Sequence, residues 1–346
     1  MKPLVAPTNN NKLNTKTMKK LFTILAVAAA VAACQKNETI ALDNGEAISF
    51  GNAFVENSVR AATDPSYGTN NLLKEVYVYG TVDGDGSPVS IFNHERVWSD
   101  AINAADIYNK EWKCYVKQYW IAGADYKFAA IAGADKTNVT CTEGIPTLIK
   151  FTSNGATDLV YGYFEKANAA ASNNGLVAFS MKHLLSKVKF TVNNTNPAAS
   201  EYLYTVTGIK ISNAITEANC AITNGWVNNA ANVSTTWTTT ATAGQEFGNI
   251  TANANATTEC DAEKLLIPLT NAKVEFTVNL YYDNIVDDNL VSSTAYTGDK
   301  AITVASLEAG KAYNLTISVG VGELIQFTVT ESPEWTNSST YPTPIQ

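Results

Sequence analysis

The chain is poor in histidine, arginine and cysteine, and each shortage closes off a function class. His94 and His183 are the two histidines. Neither has a cysteine or a second histidine close by, so no zinc-type ligand set forms. No GxSxG or HExxH pattern is present, and no motif places two carboxylates for acid–base work. The sequence therefore reads as a non-enzymatic protein with no metal and no cofactor. His183 heads an alternating run and reads as a packing residue. Arginine occurs only at Arg60 and Arg96. Lysine and arginine together number 24 against 32 acids, a net charge of −8. With no basic cluster, nucleic acid and anionic lipid are excluded as charge-driven partners. Of five cysteines, none sits in a CxxC pair. The long spacings among Cys114, Cys141, Cys220 and Cys260 leave disulfides and buried thiols both open. No apolar run reaches the roughly 20 residues of a spanning helix. What is present suffices for a folded body: 346 residues, 45% of them hydrophobic, enough for two domains.

The N-terminal region carries a signal. Met18-Lys19-Lys20 precedes a largely apolar run, Leu21 to Ala30, then Val31-Ala32-Ala33-Cys34. A basic start, a short apolar stretch and small residues before a cut are the parts of a secretory signal. A cysteine directly after those small residues resembles a bacterial lipobox. In such signals the thiol is diacylated, the peptide is cut before it, and the lipid tethers the chain to a membrane. Cys34 is the expected lipidation site. Residues 1–17 are polar and precede a complete signal, so the true start stays open between Met1 and Met18.

Beyond Lys74 the pattern is strand and turn. Val76 and Val78 alternate with Tyr77 and Tyr79. Val274, Phe276, Val278 and Leu280 alternate with polar partners, as do Tyr313, Leu315, Ile317 and Val319. Period two with β-branched and aromatic residues predicts half-buried strands. Asp83-Gly84-Asp85-Gly86 and Asn173-Asn174-Gly175 are turn chemistry. The first lacks the full spacing of a calcium loop. Short helices are expected only at Ser99–Lys110 and around Glu165–Ala171. Asn228–Asn255, rich in Thr, Ala and Asn, reads as a long surface loop or a weak hairpin. The best domain boundary lies near 172–182, where small polar residues give way to fresh strands. The expected class is all-β.

An ordered series of short segments then points to a family. It begins with Ile48-Ser49-Phe50 and Val59-Arg60-Ala61-Ala62. Val76-Tyr77-Val78-Tyr79-Gly80 follows, then Ile91-Phe92 with Val97-Trp98, and Tyr115 to Trp120 with Tyr126-Lys127-Phe128. Asp158-Leu159-Val160-Tyr161 precedes Phe179 to Phe190, centred on His183-Leu184-Leu185-Ser186-Lys187. Gly310-Lys311-Ala312-Tyr313-Asn314-Leu315 and Ile325-Gln326-Phe327 close it. In order and spacing this resembles the fimbrillin or Mfa-like pilin family, subunits of the type V pili of Gram-negative gut and oral anaerobes.

The resemblance implies two transthyretin-like, Greek-key β-sandwich domains in tandem. They are placed at 34–175 and 176–346, after an extension and lipoprotein signal over 1–33. It implies an exported lipoprotein of the outer membrane and cell surface, found in the fimbrium and supporting adhesion. An arginine-specific surface protease would remove the first strand, within 46–59. Other pilin subunits would then fill the groove by donor-strand addition. On this chain the processing bond falls between Arg60 and Ala61. Ile48, Phe50 and Phe54 are the apolar contacts of the displaced strand. The alternative is an anchored surface lipoprotein, either a pilus anchor or tip subunit or an adhesin for a glycan or host ligand. The tail bears on the choice: Pro333, Pro342 and Pro344 remove ladder donors, so the tail reads as a poor strand by itself.

Overall fold

The structure, a computed structural model, describes residues 45–55, 75–99, 112–228, 230–261, 263–283, 286, 289–332 and 339–344. No α-helix occurs among them. The strands are β1 (Phe50–Val55), β2 (Glu75–Asp83), β3 (Val89–Trp98), β4 (Lys113–Cys114), β5 (Asp125–Ala132), β6 (Val139–Thr142), β7 (Ile145–Thr152) and β8 (Val160–Lys166). They continue as β9 (Val177–His183), β10 (Ser186–Asn194), β11 (Leu203–Ile211), β12 (Ile215–Thr223), β13 (Trp226–Val227), β14 (Ala230–Ala231), β15 (Ser234–Thr242) and β16 (Gln245–Ala252). The last are β17 (Thr257–Glu259), β18 (Lys264–Leu266), β19 (Leu269–Tyr281), β20 (Leu290–Tyr296), β21 (Ile302–Leu307), β22 (Ala312–Val319), β23 (Gln326–Ser332) and β24 (Ser339–Pro344).

The strands build four main sheets in a sandwich-like, all-β body. A seven-stranded sheet runs β1-β9-β8-β5-β2-β3-β4. A six-stranded sheet runs β17-β10-β22-β23-β24, with β18 also on β10. A five-stranded sheet runs β16-β11-β19-β20 with β21 on β19, and a four-stranded one runs β15-β12-β7-β6. The chain leaves the first sheet at His183 and enters the six-stranded sheet at Ser186.

Period two sorts the first sheet's side chains onto two cores. On β5, Tyr126, Phe128 and Ala130 join a cluster with Phe50, Val78, Phe92 and Phe179. Ala129 and Ile131 face the other way, into a larger cluster that continues through Ile149, Val188, Val206, Phe276 and Leu315. Burial on both faces explains why β5 reads as a nearly continuous apolar run.

Three local expectations need correction. Glu165–Ala171 is not helical: β8 runs through Lys166, and non-helical chain follows. Its apolar residues serve a strand period, with Tyr163 buried and Phe164 packed on the opposite core. Of the other expected helix, Ser99–Lys110, only Ser99 lies among the described residues. Asn228–Asn255 is neither a loop nor a hairpin. It holds β15 and β16, which join different sheets, on β12 and on β11. Threonine is a strong strand former, so few large apolar residues did not prevent pairing. The tail also pairs. β24 lies antiparallel on β23, with Pro342 opposite Thr328 and Pro344 opposite Gln326. An edge position tolerates proline because no outer neighbour needs its missing N–H. The Asp83 turn forms as expected: its Oδ1 accepts from the backbone N–H of Asp85, Gly86 and Ser87.

Candidate functional site

The site is the seat of the first strand. β1 lies at the edge of the seven-stranded sheet and pairs in parallel with β9. Phe50 lies opposite Val177, Ala53 opposite Phe179, Phe54 opposite Ser180 and Val55 opposite Met181, with an irregularity between Phe50 and Ala53. Ile48 and Phe50 are buried, 8% and 4% exposed. The Phe50 ring meets Phe92 edge-on at 5.4 Å and Phe128 at 6.4 Å, and stacks on Phe179 at 6.4 Å. An all-aromatic seat of this kind rewards one large flat side chain at one position.

Backbone hydrogen bonds lace the residues ahead of β1 into the same seat. Glu46 N donates to Ala171 O (3.0 Å), and Ile48 N donates to Gln118 O (2.8 Å). Trp120 N donates to Glu46 O (2.9 Å), and Val177 N donates to Ser49 O (2.9 Å). A Cβ at Gly45 would lie 2.2 Å from the Trp120 carbonyl oxygen, so only glycine permits this approach. The wall formed by residues 119–121 is itself tied down. Tyr126 OH accepts from Ile121 N at 2.7 Å and donates to Tyr119 O at 3.2 Å. Burial pushes this phenol up to about 12, so it stays protonated and able to donate.

Of the residues singled out in the sequence, Ile48 and Phe50 fall in this seat. Phe54 has its backbone in β1, but its side chain is outside the described set. Cys34, Arg60 and Ala61 lie outside the described residues. The seat's other members, Gln118, Trp120, Phe92, Phe128 and Phe179, were legible only as parts of strands and segments. Nothing local ties them to a strand more than forty residues away, since that contact is made by the fold.

The remaining sequence candidates are structural. Arg96 sits within β3 opposite Tyr77. Its guanidinium pairs with Glu75 Oε2, Nε at 2.7 Å and Nη2 at 2.5 Å, and lies 4.8 Å from the Trp98 ring centroid. Burial alone would raise the Glu75 carboxyl, but hydrogen bonds from Arg96 and Tyr77 and the Arg96 charge hold it below its usual range. His94 stacks on Tyr77 at 4.2 Å and bonds the Tyr79 hydroxyl through Nδ1 at 2.8 Å. His183 Nδ1 lies 2.5 Å from Asp158 Oδ2, with side chains 3% and 4% exposed. A pair so enclosed fixes the end of β9 and is out of reach of a dissolved substrate. Cys114, Cys141 and Cys220 carry free thiols. Cys260 Sγ accepts from Phe190 N at 3.2 Å.

No curated protein sequence matches the chain. Among solved structures, it is similar to a fimbrial protein from Bacteroides vulgatus at 13% identity, over 86% of this chain and 99% of that one, with a TM-score of 0.56. That likeness shows the fold. A fimbrial assembly protein from Parabacteroides distasonis, 13% identical over 86% of this chain and all of its own, gives a TM-score of 0.43. The Fimbrillin-like family pattern matches residues 75–333, well over half of the sequence, and the chain belongs to that family.

Proposed function

We propose that the chain is a structural subunit of a cell-surface fimbria that supports adhesion, matured by removal of its first strand and assembled by donor-strand addition. The observation that carries this reading is β1 itself. Among the described residues it is an edge strand with one neighbour, and its main anchor is a single ring in an aromatic seat. Burying Ile48 and Phe50 contributes about 1.5–3 kcal/mol each. Removing them opens an apolar slot and frees the partner groups at Gln118, Ala171 and Val177, which is a sticky edge. An incoming strand with a large apolar residue at the Phe50 position meets both needs. The precursor's own strand already fills the slot, so the precursor does not polymerise through it.

In this reading Arg60–Ala61 is the bond cut by an arginine-specific surface protease. Other subunits are the assembly partners, and the outer membrane holds the precursor through lipid on Cys34. Arginine scarcity favours a single cut: the only other arginine, Arg96, is locked into a ladder. The tandem transthyretin-like description, 34–175 and 176–346, belongs to the same proposal, with β9 completing the sheet of the first half.

The test is to treat the full chain carrying Cys34→Ala with an arginine-specific protease. N-terminal sequencing then locates the cut and gel filtration follows size. A new terminus at Ala61 with polymers, and neither from Arg60→Ala, supports the proposal. A stable cut monomer favours a tip or accessory role. No cut at Arg60 favours an anchored lipoprotein.

A further inference from the structure

The four-stranded sheet ends on β15, which pairs with β12 on one side and has no outer neighbour among the described residues. Its nine residues, Ser-Thr-Thr-Trp-Thr-Thr-Thr-Ala-Thr, contain no charge and no proline, and its ladder to β12 is regular from Ser234 to Thr239, with register shifts confined to the Thr239–Thr242 end. No charged residue occurs anywhere from Ala218 to Gln245. Open edges are ordinarily guarded by charge, proline, a bulge or shortness. Several other edges here follow that rule. β24 carries Pro342 and Pro344, β16 carries Glu246, and β4 and β6 are only two and four residues long. Edge strands β20 and β21 are also neutral, but charges flank them in the sequence: Asp287, Asp288 and Asp299 around β20, Lys300 and Glu308 around β21.

We propose that the β15 edge pairs with β15 of a second copy of this chain, antiparallel about a two-fold axis at Thr238. The argument is self-complementarity. A two-fold sets each residue against its mirror position, so any charge near a mirror pair meets its like. On β15 the mirror pairs are Ser234 with Thr242, Thr236 with Thr240, and Thr238 with itself. All five residues are exposed and carry hydroxyls, and Ser234, Thr236 and Thr238 share one face of the regular stretch. Thr–Thr and Ser–Thr cross-strand pairs are favourable. The other face is already used: Trp237 is half-buried and meets Phe151 edge-on at 6.4 Å. The outer edge therefore offers a row of backbone groups beside hydroxyl side chains, with no charge in it to repel an identical strand. This pairing does not depend on the fimbrial reading or on cleavage at Arg60.

One nine-residue edge is about 30 Å long. It falls short of the roughly 1,000 Å² of a tight interface, so the dimer is weak and concentration-dependent. Two copies of charge −8 repel, and salt screens that repulsion. Association therefore strengthens as salt rises.

The test is analytical ultracentrifugation of the full chain carrying Cys34→Ala, at rising concentration and at two salt levels. The expected result is a monomer–dimer equilibrium favoured by salt. Thr238→Lys and Thr238→Glu each weaken it about fivefold, because like charges then face each other at the axis. Mixing the two variants restores dimer, since lysine then faces glutamate. Thr238→Val keeps the dimer and shows that loss of the hydroxyl alone is not the cause. Circular dichroism confirms that each variant is folded. A chain that stays monomeric at all concentrations overturns the proposal. So does a dimer indifferent to Thr238→Lys, or a Lys/Glu mixture that fails to recover.

Discussion

Among the described residues two strand pairs run parallel while the other ladders are antiparallel, and the two differ in almost every other respect. β10 and β22 pair without interruption from Lys187–Ala312 to Asn194–Val319. β10 is covered on its other edge by β17 and β18, and β22 by β23. Val188, Phe190, Val192, Leu315 and Ile317 are all fully buried. β1 and β9 pair at four positions with an irregularity between the first two, and β1 has one neighbour among the described residues. Both are parallel ladders over apolar cores, but only one is enclosed. An enclosed strand cannot leave without opening two ladders and the core together. An edge strand leaves by opening one ladder and one pocket. Parallel pairing itself is therefore not what makes a strand replaceable; edge position is.

The largest expected effect sets a charge into each pair. Leu315→Asp buries a carboxylate with no counter-charge in the enclosed ladder. That costs several kcal/mol, comparable to the 5–15 kcal/mol that holds a typical protein folded. The variant should give no folded protein. Ile48→Asp places the same group in the β1 seat. There the chain can escape by releasing residues 46–55, so the remaining strands stay folded. Circular dichroism and urea melts of both variants check this. A global collapse of Ile48→Asp would erase the distinction between the two pairs.

Truncating one ring in each pair is the next smaller probe. Phe190 meets Phe247 edge-on at 4.7 Å, and Phe190→Ala should lower global stability by about 3–5 kcal/mol. Phe50→Ala removes an equally buried ring, yet its effect is capped by the free energy of docking β1. It should appear as faster hydrogen exchange at Ile48 and Val177, whose N–H groups bond Gln118 and Ser49. Exchange in β10 and β22 should not change. Faster exchange there would mean that the two cores unfold as one.

This contrast also marks what could be read from the residues. Both pairs were legible in part: Tyr313 to Val319 by alternation, and Ile48 and Phe50 as the first segment of the family series. Class and strand content follow from period two because it is local. Edge or interior position is not local. It depends on which distant strand arrives alongside, as Val177 does for Phe50. The Thr-rich stretch was misread for a related reason. Its few apolar residues suggested a loop, yet β-branched backbones paired with strands on two different sheets. Around Glu165–Ala171 a short helix was expected, but Tyr163 and Phe164 were already serving opposite cores as part of a strand.

The smallest effect concerns what keeps Arg96 from being cut while Arg60 is proposed to be. Two protections coincide at Arg96: the β2–β3 ladder and the Glu75 ion pair. A surface pair of this kind contributes about 0.2–1 kcal/mol. Because the Glu75 carboxyl is held below its unfolded value, that contribution is present above the unfolded pKa and fades as pH falls through the lower, folded one. Glu75→Gln should therefore lower the melting temperature slightly at neutral pH, and the gap to the parent should close in acid. Proteolysis makes the finer distinction. A protease needs an extended, accessible backbone, and the Arg96 backbone is engaged with Tyr77 whether or not the carboxylate is present. Glu75→Gln should thus leave Arg96 uncut under conditions that cleave at Arg60, as read by mass spectrometry of the fragments. If Glu75→Gln exposes Arg96, side-chain pairing rather than the ladder guards this edge of the sheet. The rule drawn from β1, that ladder position decides which strand can be lost, would then need a second term.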